Sequence, residues 1–294
     1  ASVDGSRKLG WRPIILAAKY GNRNVTELLI KHRANPDLPA PRDVPCYACR
    51  CQIKASPCQS KVNRGTRALH CAVRGPHPGI IKTLFLAGAD PNVADCEGTT
   101  PLMMACFNLE VVKELLEAGA NPALTSKRES VALFSAAQVG STAVVGMLLS
   151  KAPGTLNHTC SGGTTPLYWA SFGGNEDVVA FLLAAGAQQP TAYESTACPL
   201  NASVQEGHTE VVRMLLHNGL EAIGGAVAIP TALATAVHTR RAGVLQIIID
   251  MAHVEGRLEN WTTCSISMIN RPLVCCAVIE GDLTSLSVLL AAGA

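Results

Sequence analysis

The stretch GTTPLYWASFGGNEDVVAFLLAAGA, residues 163–187, decides how this chain folds. Thr165 and Pro166 place a capping hydroxyl before a proline that suits the first helical turn. Gly174 provides a turn, and a second apolar helix follows it. That helix stops at Gly186, because glycine accepts the left-handed conformation of a helix C-cap. The stretch therefore predicts a pair of helices joined by a tight turn.

The same plan returns along the chain at a fixed period. Thr165, Cys198 and Thr231 occupy equivalent positions that are 33 residues apart, and Arg67 and Thr100 have the same separation. The second helix of each copy carries an apolar stripe that one copy cannot bury alone, so stability must come from stacking on neighbours. A fixed period of this length indicates a repeat protein.

The set of copies resembles the ankyrin repeat, whose signature is T-P-L-H-x-A-A followed by G-H-x-E-V-V-K-L-L-L-x-x-G-A. The first helices begin at RPII (Arg12), RALH (Arg67), TPLM (Thr100), VALF (Val131), TPLY (Thr165), CPLN (Cys198), TALA (Thr231) and PLVC (Pro272). The resemblance covers nearly the whole chain. It implies an all-α solenoid of stacked helix–turn–helix repeats with β-hairpin-like loops.

On this resemblance, residues 1–294 form one ankyrin repeat domain. The predicted repeats have the approximate bounds 8–37, 63–94, 95–124, 126–157, 160–190, 193–222, 226–255 and 267–294. His70 occupies the histidine position of the signature, where the family uses it to tie the hairpin to the helix. The repeats at Arg12 and Val131 depart from the signature because they end without the capping glycine.

An insertion at residues 38–62 separates the first two repeats. It is rich in basic residues and contains Cys46, Cys49, Cys51 and Cys58. Four thiolates can close a tetrahedral zinc site, and C-x-x-C is a spacing typical of such sites. The crowding of the cysteines argues against zinc, because two-pair modules usually separate their pairs by about a dozen residues or more. A reduced loop with incidental thiols and a redox role therefore stay open beside a structural zinc ion.

The net charge, the length of the apolar runs and the motifs exclude several classes of protein. A net charge of +2 gives no general case for nucleic acid, and no apolar run is long enough to span a bilayer. The sequence shows no phosphate loop, nucleophile motif or recurrent carboxylate pair, so we predict that the chain is not an enzyme and needs no cofactor apart from the zinc alternative.

Cysteine usage predicts the compartment. Four cysteines outside the insertion, Cys71, Cys106, Cys275 and Cys276, lie within apolar helical patterns, which predicts buried, reduced thiols. We therefore expect an intracellular protein, in the cytoplasm or the nucleus. The chain lacks a starting Met and its last helix stays apolar to the end, so we expect a monomeric fragment of a longer protein.

Candidate binding residues come from two places in each repeat. In this family the end of the first helix and the hairpin tip line a concave groove. The candidates are Trp11, Lys19, Tyr20, Arg74, Phe107, Lys127, Arg128, Gln138, Phe172, Tyr193, Glu194, Gln205 and Glu206. Aromatic, Arg and amide side chains are typical of interface centres. Scattered exposed aromatic residues are also common on inert surfaces, so this alternative stays open.

These observations predict a non-catalytic scaffold or adaptor that binds another protein through its groove and hairpin tips. Two alternatives remain at this point. The chain could be the substrate-targeting module of a larger enzyme, such as a ligase, a kinase or an acyltransferase. It could also be an adaptor that senses zinc or redox state through its insertion. The fold class alone does not name the partner.

Overall fold

The computed structural model describes residues 3–4, 12–40, 65–75, 77–188, 197–218, 228–254 and 273–292. Within these residues the chain is all-helical, with sixteen α-helices, one short 3₁₀ helix and no strand. By its internal contacts the chain divides into two compact units. Unit 1 comprises residues 1–135 with 150–152, and unit 2 comprises residues 136–149 with 153–294.

The helices follow one another in pairs. The first six are α1 Pro13–Lys19, α2 Arg23–Lys31, α3 Ala68–Arg74, α4 Pro78–Leu86, α5 Pro101–Ala105 and α6 Leu109–Glu117. The next pair is α7 Ala132–Val139 and α8 Thr142–Lys151, with the 3₁₀ helix Pro153–Thr155 behind it. The remainder are α9 Pro166–Phe172, α10 Glu176–Ala184, α11 Pro199–Glu206, α12 Thr209–His217, α13 Ala228–His238, α14 Ala242–Val254, α15 Leu273–Glu280 and α16 Leu283–Ala291.

Within each unit, helices pack on their partners and on equivalent helices of neighbouring repeats. In unit 1, α3 lies between α1 and α5, and α2 packs on α4. In unit 2, α9, α11, α13 and α15 pack in that order, and so do α10, α12, α14 and α16. Leu84, Leu115 and Leu182, all on second helices, are completely buried. The core is therefore built between adjacent repeats, as stacking requires.

Most predicted helix ends within the described residues are confirmed. The exception is α13, which begins at Ala228, three residues before the predicted start at Thr231. The hydroxyl of Thr100 accepts a hydrogen bond from the N–H of Met103, and Thr165 does the same for Tyr168. Gly119 and Gly186 follow second helices with positive φ angles of 92° and 86°, in the left-handed region.

Two repeats without a capping glycine end in different ways. After α2, Arg33 itself adopts a positive φ angle of 63°, a conformation that usually favours glycine. After α8, the chain turns through the 3₁₀ helix Pro153–Thr155 instead. The physical reason is the same in both places. The last carbonyl groups of a helix have no partner within the helix, so a turn must supply their hydrogen-bond donors as the chain reverses.

The loops between the repeats form hairpin-like turns without strands in the described part of the chain. Three turns close with hydrogen bonds from the N–H groups of Asp95, Ser126 and Cys160 to the carbonyl oxygens of Thr99, Ser130 and Thr164, at 3.0, 2.9 and 3.1 Å. The Asp95 carboxylate also accepts hydrogen bonds from the N–H groups of Glu97 and Thr99. Each turn is therefore held by its own first residue as well as by the backbone.

His70 joins a hairpin turn to a helix, as the signature implies. Its Nδ1 accepts the N–H of Arg67 at 3.3 Å, so the hydrogen of the neutral ring lies on Nε2. Nε2 then donates to the carbonyl oxygen of Thr99 at 2.9 Å. Burial lowers the pKa of His70, against the hydrogen bond to Thr99 and the charge of Asp95, which raise it. The ring thus acts as a structural link.

Candidate protein-binding surface

In unit 1, four candidate residues lie where the first helices end. Lys19 and Tyr20 close α1, Arg74 closes α3, and Phe107 follows α5. Tyr20 is 60% exposed and Phe107 is 53% exposed, which is unusual for large aromatic side chains. The opposite sides of these helices are buried by stacking, so their solvent-facing ends are the positions left to contact a partner. We call these four residues the unit 1 face.

Positive charge dominates the unit 1 face. The Lys19 ammonium lies 5.6 Å from the centroid of the Tyr20 ring, a cation–π distance. Half-buried Cys71 lies near both cations: burial raises the pKa of its thiol to about 11, although the charges of Arg74 and Lys19 lower it. Helices α1, α3 and α5 contain no Asp or Glu. The face therefore combines cations with exposed rings.

The hairpin candidates of unit 1 lie at the tip of the Ser126 turn. Lys127 and Arg128 are both exposed there, and the next residue, Glu129, is exposed as well. The N–H of Lys127 donates to the carbonyl oxygen of Glu97 in the preceding turn at 2.8 Å. Backbone pairing between successive turns therefore fixes the base of these two cationic side chains.

Unit 2 presents a different set of side chains at the equivalent positions. Gln138 and Gln205 are exposed, whereas Phe172 and Glu206 are half-buried. We call these four residues the unit 2 face. It carries a carboxylate where the unit 1 face carries cations, so the two faces differ in charge.

Three aromatic rings pack together beside the unit 2 face. The rings of Tyr168 and Phe172 lie nearly parallel with centroids 6.3 Å apart, and Trp169 meets both rings edge-on. Trp169 Nε1 donates to Thr164 Oγ1 at 3.0 Å. Burial raises the pKa of Tyr168, and the charge of Glu206 raises it further. These contacts give Tyr168 and Trp169 packing roles and hold Phe172 in place.

One group of residues that sequence reasoning missed fixes the ends of the first helices. The polar residue after the turn glycine reaches back to the preceding repeat. Asn175 Nδ2 donates to the carbonyl oxygens of Ala137 and Gln138 at 2.7 and 2.8 Å. His208 Nε2 lies 3.1 Å from the carbonyl oxygen of Phe172. The signal was present in the sequence as a polar residue directly after glycine.

Some candidates fall outside the described residues. These are Trp11, Tyr193 and Glu194 among the binding candidates, and Cys46, Cys49, Cys51 and Cys58 among the metal candidates. Among the residues that the structure does describe, no group of three or more His, Cys, Asp or Glu side chains could hold a metal ion.

One expectation about the cysteines is wrong. The thiol of Cys106 is buried as predicted, but Cys275 is exposed and Cys276 is half-buried. The apolar pattern of α15 misled the prediction, because Cys275 and Cys276 are equivalent to Tyr168 and Trp169, which lie half-exposed on α9. Stacking buries the other side of that helix, where Leu273 and Ala277 lie.

Within the described ranges, no helix combines the length and the apolar character that crossing a bilayer would require. The helices are short, and a transmembrane helix needs roughly 20 consecutive apolar residues.

Comparison with known proteins identifies the repeats. The family model for ankyrin repeats matches overlapping stretches at residues 1–95, 45–126, 69–157, 108–193 and 133–224. A human protein, transient receptor potential cation channel subfamily A member 1, is 27% identical over 168 residues, which are 53% of this chain and 15% of that protein. The Drosophila melanogaster transient receptor potential channel pyrexia is 33% identical over 142 residues, which are 47% of this chain and 14% of that protein.

A third relative is human ankyrin repeat and SOCS box protein 16, which is 30% identical over 171 residues, or 54% of this chain and 37% of that protein. The chain thus matches well under half the length of each of these relatives. Ankyrin repeats are generally protein-interaction modules, and the helix pairs, caps and hairpin turns described above have the form of such repeats. Since the family model matches most of its length, the chain belongs to the ankyrin repeat family.

Proposed function

We propose that this chain is a non-catalytic scaffold that binds another protein through its first-helix faces and hairpin tips. The observation that carries the proposal is the exposure of Tyr20 and Phe107, two aromatic side chains at equivalent ends of first helices. Aromatic and Arg side chains supply most of the binding energy at typical protein interfaces. The family is generally a protein-interaction module, which agrees with this assignment.

The proposed mechanism is recognition by a surface that is already ordered. Tyr20 and Arg74 lie at the ends of helices whose other sides are buried, and Phe172 packs between neighbouring rings. Binding then costs less conformational entropy than it would from a loop that must become ordered. Ankyrin repeats generally act without catalysis, so the proposal assigns no reacting group to this chain.

The test is a binding measurement with matched variants. Partners are captured with the whole chain, and their affinities are measured for Tyr20→Ala and Phe172→Ala. We expect each change to weaken binding about thirtyfold, or about 2 kcal/mol, while circular dichroism stays unchanged. Thermal unfolding should stay unchanged for the exposed Tyr20→Ala, whereas Phe172→Ala loses two ring contacts and should unfold at a lower temperature.

The controls are Lys113→Ala and Arg213→Ala on the outer helices α6 and α12, where both side chains are about half exposed. Each of these cations contacts only a neighbouring glutamate of its own helix in the described structure, so its loss should leave binding nearly unchanged. Weaker binding with the control variants and normal binding with the face variants would move the site to the outer helices.

A second candidate function is the targeting or interaction segment of a larger protein. The observation in its favour is coverage, because the matched region spans only 14–37% of the three relatives described above. On this proposal the recognition surface is the same, and the larger protein, for example a ligase, kinase or acyltransferase, supplies the activity. The full-length coding sequence tests it directly: a further folded domain supports it, and its absence would contradict it.

We also propose an intracellular location, in the cytoplasm or the nucleus. The cysteines in the described part of the chain are not joined in disulfides, a state that reducing compartments maintain. Fractionation of cells that express the whole protein tests this proposal.

A further inference from the structure

We infer that the unit 1 face binds an extended acidic segment of a partner protein, and that this segment carries an aromatic or large aliphatic side chain. The inference rests on the proposed protein-binding function and adds the chemistry of the partner. It comes from the charge, the exposed rings and the dimensions of Lys19, Tyr20, Arg74 and Phe107.

The charge of the face calls for an anionic partner. Lys19 and Arg74 lie on neighbouring helices, and both act electrostatically on the same thiol, Cys71. The three first helices of unit 1 have the sequences PIILAAK, ALHCAVR and PLMMA, without an acidic residue. Complementary charge speeds association and disfavours partners of like charge.

The hairpin tips do not reverse this charge. Among the described tip residues that are exposed, Glu97 and Glu129 are acidic, while Lys127 and Arg128 are basic. These four charges cancel formally, so the described tip residues add no net charge to the face. Buried Asp95 is turned into its own hairpin, where its carboxylate accepts two backbone N–H groups.

The exposed rings call for an apolar side chain beside the carboxylates. Tyr20 and Phe107 stand at the two ends of the face, and half-buried Cys71 and Met104 lie one turn earlier on α3 and α5. A segment that carried only charges would leave these apolar groups in contact with water. A segment with both kinds of side chain removes apolar surface from water while its carboxylates meet the cations.

The dimensions of the face limit the segment to an extended stretch. Neighbouring packed helices lie roughly 8–10 Å apart, so three first helices span about 20 Å. An extended chain advances about 3.3 Å per residue, which corresponds to about six residues. We place its carboxylates against Lys19 and Arg74 and its largest apolar side chain against Phe107.

The unit 2 face serves as a comparison within the same chain. Its candidate residues include Glu206, and the end of α15 carries Glu280, whose carboxylate lies 2.9 Å from His238 Nδ1. Arg240 donates to the carbonyl oxygen of Glu280 and Arg241 to that of Gln205, so the unit 2 positions carry charges of both signs. The unit 1 face has no carboxylate, so the inference concerns unit 1 alone.

The experiment uses fluorescence anisotropy with the whole chain and labelled synthetic peptides of equal length. The peptides repeat Glu-Asp-Phe, Lys-Arg-Phe or Glu-Asp-Ser, and a single-stranded DNA oligonucleotide serves as a second anionic probe. We expect the Glu-Asp-Phe peptide to bind about tenfold more tightly than each of the other three probes. Its binding should weaken as salt is added, because exposed charges are screened.

Matched variants locate the site. Lys19→Gln with Arg74→Gln removes two cations from the unit 1 face, and Lys113→Gln with Arg213→Gln removes two from the outer helices. We expect the first pair to weaken binding of the Glu-Asp-Phe peptide about tenfold and the second pair to leave it unchanged. Phe107→Ala should reduce the preference for Glu-Asp-Phe over Glu-Asp-Ser. Circular dichroism and thermal unfolding of each variant verify that it is folded.

Several results would overturn the inference. These are equal binding of acidic and basic peptides, equal binding of the DNA, and equal effects of the two variant pairs. Cross-linking of captured partners separates this failure from failure of the proposed function. Partners cross-linked through non-acidic segments would refute the acidic class and leave protein binding intact, whereas a chain that captures no partner would refute both.

Discussion

The side-chain amide of Asn175 donates a hydrogen bond of 2.8 Å to the backbone carbonyl oxygen of Gln138. Asn175 belongs to one repeat and Gln138 to the preceding one, so the later repeat holds the end of the earlier repeat's first helix. Gly140 lies directly against this amide and has a positive φ angle of 87°. The end of α7, where the candidate binding residue Gln138 lies, is therefore held by the repeat that follows it.

A methyl group at Gly140 should be strongly destabilising. In Gly140→Ala the new Cβ would collide with the Asn175 amide and would also require an L-residue at positive φ. We expect the free energy of unfolding to fall by about 1–3 kcal/mol, measured by urea denaturation.

Gly186→Ala is the control, because Gly186 has nearly the same φ angle, 86°, but no atom lies within 4 Å of the position that an alanine Cβ would occupy. This variant should therefore be destabilised only by the cost of placing an alanine at a positive φ angle. Equal decreases in the free energy of unfolding of the two variants would mean that the collision with Asn175 does not contribute to the effect.

Truncation of a buried leucine should cause local damage. Leu182 is completely buried on α10, so Leu182→Ala should lower the free energy of unfolding by about 2–5 kcal/mol. Since repeats contact only their neighbours, hydrogen exchange should rise mainly in the altered repeat and the repeats beside it. Uniform loosening across the chain would instead indicate a single cooperative core.

Acid should weaken the link made by His70. Burial lowers the pKa of the ring, so the folded chain binds the proton less readily than the unfolded chain does. Above the unfolded value, about 6.5, the ring is neutral in both states and the contribution is complete. As the pH falls below that value, the unfolded chain takes up the proton first, and the free energy of unfolding decreases.

His70→Gln provides the control for this pH effect. A glutamine at this helix position can still accept the N–H of Arg67, and it does not titrate. Thermal unfolding between about pH 7.5 and 5 should show a smaller fall in the variant than in the native chain. Parallel pH profiles for the two proteins would assign the effect to other groups.

Two thiols should differ in their rate of alkylation. Burial raises the pKa of the Cys71 thiol to about 11. Burial also raises the pKa of Cys160, but hydrogen bonds from Thr164 and from the N–H of Gly162 outweigh it, so that pKa lies below its ordinary value. The thiolate is the reactive form, so Cys160 should be alkylated faster.

Mass spectrometry after a short exposure to iodoacetamide at neutral pH measures the two rates. Thr164→Val removes the hydroxyl that lies 2.8 Å from the Cys160 sulfur and should slow the reaction at Cys160 alone. Equal rates at Cys71 and Cys160 in the native chain would contradict the prediction.

The cysteine-rich insertion can be tested for zinc. Its cysteines lie outside the described residues, so the hypothesis rests on their spacing. If Cys46, Cys49, Cys51 and Cys58 bind zinc, the purified chain should contain about one equivalent, and Cys49→Ser should lose it. If the protein is metal-free and all four thiols are freely alkylated, the zinc hypothesis is wrong and the insertion is a reduced loop.

Deleting residues 41–61 should preserve the fold with or without zinc. The deletion starts after Ala40 because that residue is buried and its N–H donates to the carbonyl oxygen of Thr66 at 2.8 Å. Circular dichroism of the deletion variant measures the outcome. Loss of helix signal would show that the insertion contributes to the core.

Much of the fold could be predicted because its signals are local. Thr165 and Pro166 start a helix and Gly186 ends one, and each of these effects acts within about one helical turn. The same reasoning located the helix-end positions of Tyr20, Arg74 and Phe107. It could not predict that Cys275 is exposed, because an apolar pattern does not reveal which side of a short helix the next repeat will cover.

The sequence by itself determined the repeat, its period, its helix ends and the positions that face solvent at those ends. The tertiary structure alone decided the charge environment of Cys71, the ring contacts that hold Phe172 and the hydrogen bond from Asn175 to Gln138. The reason is the range of the forces involved. Capping and turn preferences act between residues close in sequence, whereas these contacts join residues that meet only after helices pack, most of them in different repeats.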